Sequence, residues 1–476
     1  MKNVEDERYI RKSENELKKK WIYVIYCCFL LFFIYKTLFY SYQNVVSPDM
    51  NAHLSYLIYD ELNDELFVPE FENMKMYSTQ SIECKEGNWI YTMKQGGLTC
   101  YLGHPPFYYK LMNLFNPVSF EGESVIINYS LISYLNILMV GSALVMVLFE
   151  GFVFFSNRES PIMVHLFFVI STLSLPMYGF MVPHLNNDNL CNVGAALVFV
   201  GVLSYIENGY TLKTYAFLCL GMTVCVLAKL TLGLIIIIAL AVLVVFDIIK
   251  NRNLQIFKKK EFFLCSIVFI IPLVYFILVH IQYGSFQPSY AMVAPSSEYL
   301  NSSWYVNPED RVILSKGEFW DYFISEISWT WTANYSNGWA LKRQGLLHIC
   351  YMVVLFLFVL QVVRELVEFK KEKRNGAGIA VFAGILLTMF IHFVSAYGGY
   401  LASGRIGAAQ SRYYMPCIVF ISFSASCFIG KVYGMFDMKK RILLDCLIIP
   451  LLICVLYSDF FFYLSNCYKF SPYINY

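Results

Sequence analysis

The chain has 476 residues, 58% of them hydrophobic and 15% charged, with a mean hydropathy of +0.53. That excludes a water-soluble globular protein, because apolar runs of about 20 residues, the length that crosses a hydrocarbon core, recur along most of the chain. The net charge of +2 points to no nucleic-acid partner, and the informative feature is where Lys and Arg cluster.

Residues 1–20 are charged, with Arg11, Lys12 and Lys18 to Lys20 just before the first apolar run. The positive-inside bias places them in the cytoplasm. The first span, 21–42, follows a long basic start and has no small-residue cleavage site, so it reads as a retained signal-anchor. Lys36 near its far end is expected to snorkel outward. Further spans are predicted at 126–155, 161–183, 189–205, 214–229, 231–249, 261–283, 346–364, 377–397, 412–431 and 442–463. Threading them alternately puts Arg158, Lys213 and the basic stretches 250–260, 370–374 and 439–441 inside. Both long loops, 43–125 and 284–345, fall outside, and the first is rich in acidic residues. The expectation is an all-α integral membrane domain over 21–463, of about 11 transmembrane helices, in a plasma membrane. Its two extracytoplasmic loops bear short interfacial helices. The amino end is cytoplasmic, the tail 464–476 is extracytoplasmic, and no soluble domain follows the last span. In the second loop, 317–329 has apolar residues at helical spacing; it either lies on the outer leaflet or packs on the ends of the spans.

Most of the 14 cysteines fall in apolar runs, where they act as small hydrophobes. Cys84 and Cys100 in the first loop fit a disulfide in an extracytoplasmic setting and equally fit free thiols. No Cys/His spacing resembles a zinc site.

Sorting the unusual polar groups by side gathers several of both signs on the outer face. Asp49, His53 and His104 belong to the first loop, and Asn187 and Asp188 to the turn before span four. Lys229 ends span five, and Arg405 and Arg412 lie in the turn 398–412 before span ten. Ionisable groups near bilayer depth cost a few kcal/mol and are functional candidates by default. A carboxylate there can take a proton from an incoming hydroxyl or amine. Arg and Lys at the boundary can hold a phosphate whose lipid tail stays in the bilayer. Blander readings stand beside these. Asp49 and Asp188 cap helices, Lys229 snorkels, Arg412 anchors topology, and the aromatics of 284–345 are interfacial packing.

The pattern of Asp49 with His53 resembles the first-loop acidic motif of GT-C glycosyltransferases, among them the protein O-mannosyltransferases and the aminoarabinose transferases of lipid A. The run His104-Pro105-Pro106-Phe107-Tyr108-Tyr109 resembles their Pro-Pro-Leu-Tyr-Tyr motif. Asn187-Asp188, Ala228-Lys229 and the run from Gln410 to Pro416 resemble motifs of a bacterial branch of this superfamily. The departures are Met50, where mannosyltransferases have Glu, and His104, where aminoarabinose enzymes often have Lys. The resemblance implies transfer of a sugar from a polyprenyl-phosphate donor to an extracytoplasmic glycan, lipid or protein, with inversion. Asp49 would be the general base. His53, His104, Tyr108, Asn187 and Asp188 would meet substrate, and Lys229, Arg412 and Arg405 the donor phosphate. Asp49 and Asp188 could share a divalent metal through oxygen ligands, but the branches resembled most are metal-independent, so no cofactor is predicted. The alternatives are a flippase for a lipid-linked saccharide, and a polysaccharide polymerase or ligase with a diphosphate-linked donor.

Overall fold

The computed structural model describes residues 2–43, 47–252, 254–332, 345–369, 376–407 and 409–464. The basic run 370–374, residues 333–344 of the second loop and the tail 465–476 lie outside the described residues. Each predicted span returns as helix, but the count of eleven does not hold by length. Nine helical segments among the described residues are long and apolar enough to cross a membrane, whereas Ile162–Leu173 and Leu212–Ala228 fall short. The first shortfall has a local cause. Pro176 cannot continue a helix from the preceding turn and disfavours helical geometry at Leu175, so the run stops at Ser174. It restarts as Pro176–Met181 with proline in the first turn.

The chain is mostly helical, as expected, but the first loop carries a small sheet beside its helices. After the helix Met50–Leu62 come four strands: β1 (Lys75–Lys85), β2 (Asn88–Thr99), β3 (Val118–Glu121) and β4 (Ser124–Asn128). They form one antiparallel sheet in the order β1-β2-β4-β3. Tyr91 and Met93 of β2 face Ile127 and Val125 of β4 in register, and all four are buried. Their neighbours along each strand are more exposed, the period-2 pattern of a sheet wet on one side. Glu86 and Gly87 both take positive φ, 52° and 82°, as a two-residue type I′ hairpin loop requires. Asn128 then caps the helix Tyr129–Asn157 by accepting from Leu131 N at 3.0 Å.

Lys36 does not snorkel. It is fully buried, donating to Asp459 at 2.7 Å and to the Leu173 carbonyl at 2.8 Å. This pair ties the first long helix to the π-helical turn Ser458–Leu464. In the second loop, Lys316–Thr330 is a helix with a Ser315/Glu318 capping box. Its buried Phe319 packs on Phe393, Tyr397 and Tyr400 of the helix Ala377–Ser403. Packing on a span end is therefore the arrangement it adopts.

Candidate functional site

Asp49 sits at the start of Met50–Leu62 with φ 58°, left-handed geometry that Asp tolerates better than most side chains. It occupies the N-cap position, yet its side chain makes no capping bond. The carboxylate is left for distant partners. Tyr101 donates to Oδ1 at 2.7 Å, and Arg412 Nη2 pairs with Oδ2. Burial works to raise the Asp49 pKa. The Arg412 charge and the hydrogen bonds from Tyr101 and Arg412 outweigh it, and hold the carboxyl well below the usual range.

One turn on, His53 is buried, its Nδ1 2.7 Å from the Tyr109 hydroxyl. Burial, opposed by Asp49, pushes its pKa down to about 3 and leaves the ring neutral. His104 is likewise pushed well below its usual value, by burial first and then by the Lys229 charge. Its Nδ1 lies 3.2 Å from Gln287 Nε2 and its carbonyl accepts from Tyr56. Gly103 lets the two outer loops meet here, because a Cβ on it would lie 2.2 Å from the Pro288 carbonyl oxygen.

The turn 183–187 is held from several sides. Tyr108, fully buried, donates to Asn136 Oδ1 at 3.0 Å and accepts from Asn186 N at 3.2 Å. Asn136 donates to the His184 carbonyl, and Asn187 to the Ala228 carbonyl at 2.8 Å. That last bond brings the ends of two helices together, so Asp188 Oδ1 meets Lys229 Nζ at 2.6 Å, each side chain less than 10% exposed.

Tyr413 links the two ion pairs. Its ring has Lys229 Nζ 4.4 Å and Arg412 Cζ 5.4 Å from its centroid. Among the described residues, Arg412 Nε and Nη1, and Asp188 Oδ2, are buried without a hydrogen-bond partner. Asp49, Asp188, Lys229 and Arg412 thus converge, with His53 within electrostatic reach of all four. Arg405 takes a different place, its guanidinium 3.8 Å from the Trp304 ring centroid. Trp304 packs on Tyr101 at 4.5 Å, so Arg405 reaches Asp49 through two aromatic rings.

Sequence reasoning missed Tyr101, Trp304 and Tyr413. Tyr413 stood inside a quoted motif beside Arg412, whereas Tyr101 and Trp304 carried no signal that set them apart from other loop aromatics. Cys84 is an exposed free thiol and Cys100 a buried one. Among the described residues, no cluster of three or more His, Cys, Asp or Glu side chains is placed to hold a metal. Asp49 and Asp188 are each paired with a cation instead. Chemically, the arrangement offers unused N–H groups on a buried guanidinium for an anion, next to a carboxylate that could accept a proton once freed.

No protein-family model and no curated protein matches the chain. Similar solved structures include ArnT from Cupriavidus metallidurans in the apo state, 12% identical with a TM-score of 0.47. ArnT from the same organism bound to undecaprenyl phosphate is 14% identical with a TM-score of 0.44. In both, the match covers 90% of this chain and 64% of the other, so this chain spans under two thirds of that length.

Proposed function

We propose that this is a membrane glycosyltransferase that moves a sugar from a polyprenyl-phosphate donor to a glycan, lipid or protein on the extracytoplasmic face. Transfer is inverting, with Asp49 as general base. The observation that carries the reading is the pair of ion pairs sharing Tyr413, with two Arg412 N–H groups unused. The phosphodiester of such a donor, and the monoester left once the sugar departs, both suit that donor fork beside a second cation.

The resting carboxylate is a weak base because Arg412 holds it ionised and hydrogen-bonded. An arriving donor phosphate competes for Arg412 and Lys229. As Arg412 turns to it, Asp49 keeps only Tyr101, and its pKa climbs toward the ordinary carboxylate value. The base is thus armed by the donor it serves. The acceptor hydroxyl then attacks the anomeric carbon from the face opposite the phosphate, and its proton passes to Asp49. The bond from the anomeric carbon to the phosphate oxygen breaks, and the released charge stays on Arg412 and Lys229. Asp188 keeps Lys229 in place until then.

The test is transfer by the full chain reconstituted in lipid, with polyprenyl-monophosphate sugars as donors. Asp49→Asn should lower kcat by about 10²–10⁴, the usual worth of a general base, in a protein that still inserts and folds. Wild-type turnover by that variant would remove the reading. Turnover only with diphosphate-linked donors would indicate a polymerase or ligase, and donor translocation without transfer a flippase.

A further inference from the structure

The far end of the bundle holds a cavity of about 350 Å³ that the transfer reading does not use. It is walled by the last turns of Tyr129–Asn157, Asp188–Asn208 and Gly345–Val367, the far part of Ser411–Met435, and the first turn of Ala377–Ser403. Lys431 on its rim is nineteen residues beyond Arg412 along one span, roughly 28 Å at 1.5 Å per residue. The two sites therefore lie near opposite surfaces of the membrane.

Its floor is aromatic. Phe423 packs against Phe155, tilted, and against Phe199, edge to face, at centroid separations of 5.3 and 5.2 Å. Its rim is cationic, with Arg158, Arg364 and Lys431 lining it against one carboxylate, Glu365. That carboxylate already has a structural task. It accepts from Ile379 N at 3.2 Å, at the start of the helix Ala377–Ser403, and from Gln361 Nε2 at 2.9 Å. Gly378 leaves room for it, since a Cβ there would lie 2.9 Å from Glu365 Oε1. The rim cations have looser acid contacts that do not line the cavity: Arg158 with Glu207 at 3.3 Å, Arg364 with Glu368 at 3.4 Å, and Lys431 with Glu368 at 3.9 Å. Among the described residues, two polar atoms of the lining remain without a partner: Arg364 Nε, and Oε1 of Gln361, a side chain only 3% exposed. A buried donor and a buried acceptor left unmade cost free energy unless something fills the space between them.

We propose that this cavity binds an acidic phospholipid whose headgroup carries a hydroxyl. An acyl chain lies on the phenylalanine floor, the phosphate meets Arg364 and Lys431, and the hydroxyl donates to Gln361 Oε1. Inorganic phosphate shares the anion chemistry but would leave the phenyl rings facing water.

The test uses the full chain purified in detergent, with phosphatidylglycerol, phosphatidylcholine or inorganic phosphate as the added probe. Retained lipid is counted by native mass spectrometry and melting temperature is read in parallel. Phosphatidylglycerol should be retained at least fivefold over phosphatidylcholine and should raise the melting temperature, as a ligand of the folded state does. Arg364→Gln with Lys431→Gln should lose both effects. Ser424→Leu, which fills the cavity without removing a charge, should lose them too, and it serves if the double variant does not fold. Equal retention of the two lipids, a rise from inorganic phosphate matching that from lipid, or unchanged retention in a folded variant would each overturn the proposal.

Discussion

At the scale of single residues, the behaviour of Asp49 is set by what faces it. Tyr101 gives it a hydrogen bond to a charged acceptor, typically about 1.5–3 kcal/mol, or roughly one to two pKa units. The Asp49 pKa is depressed, so the reactive carboxylate exists above that pKa and is lost as pH falls through it. Tyr101→Phe should therefore move the acid limb of the kcat/KM profile to higher pH, while Trp304→Phe, which keeps the phenol, should not. An acid limb unmoved by Tyr101→Phe would separate that hydroxyl from the reacting group. His53 provides a stability counterpart. Its folded pKa of about 3 lies below the ordinary value near 6.5, so its neutral form contributes fully above pH 6.5. That contribution, a few kcal/mol, is lost as pH falls from 6.5 toward 3. His53→Gln should flatten the fall in stability over pH 4–6.5, measured by denaturant unfolding in detergent. Asp49, Asp188, Lys229 and Arg412 were legible in the sequence because charge at membrane depth is conspicuous. Their pairing was not, since it depends on how each helix is rotated. Tyr108 was read as a substrate contact, and in the structure both its hydrogen bonds are spent holding the turn 183–187.

Among elements, apolar runs translated into helices closely, because run length is itself the physical requirement for spanning. The sheet did not show, although its cues were present. β1 and β2 are crowded with Lys, Glu, Gln and Thr, so their alternation is faint beside the hydropathy of the spans. The two-residue turn at Glu86-Gly87 was the signal to follow. Lys36 was misread because snorkelling is the ordinary fate of a lysine at a helix end, and its partner lies 423 residues away. A buried pair of this kind is costly to break singly and cheap to replace together. Lys36→Leu should destabilise the chain by about 3–5 kcal/mol, leaving Asp459 buried without its partner. Lys36→Leu with Asp459→Leu should recover most of that loss. Unfolding midpoints of the three proteins in one detergent decide it. A single variant no worse than the double would mean that the pair does not fasten the first helix to the last.

For the whole molecule, the threading of charges gathered Asp49, Asp188, Lys229 and Arg412 on one face, and the structure brings them together, but the consequence of their contact is visible only in three dimensions. Asp49 and Arg412 are 363 residues apart, so their pair joins the first loop to the late spans. On the proposed reading, a donor phosphate and the Asp49 carboxylate compete for one guanidinium. Linkage makes the competition reciprocal: whatever weakens the hold of Asp49 on Arg412 must strengthen the hold of phosphate. Asp49→Asn keeps the shape and an acceptor oxygen but removes the charge. It should therefore bind polyprenyl monophosphate more tightly than wild type while failing to transfer sugar. The carboxylate is about 29% exposed, so solvent screens the pair and its worth is nearer 1 kcal/mol than the value for a dry pair. The gain should be about 3- to 10-fold in Kd. Arg412→Gln should lose affinity under the same conditions, and raised salt should narrow the difference between Asp49→Asn and wild type. Equilibrium binding of a fluorescent polyprenyl monophosphate to the three proteins in nanodiscs reads all of this directly. Weaker binding by Asp49→Asn would show that the carboxylate helps to build the phosphate site rather than contending with it, and the arming of the base by its donor would have to be given up.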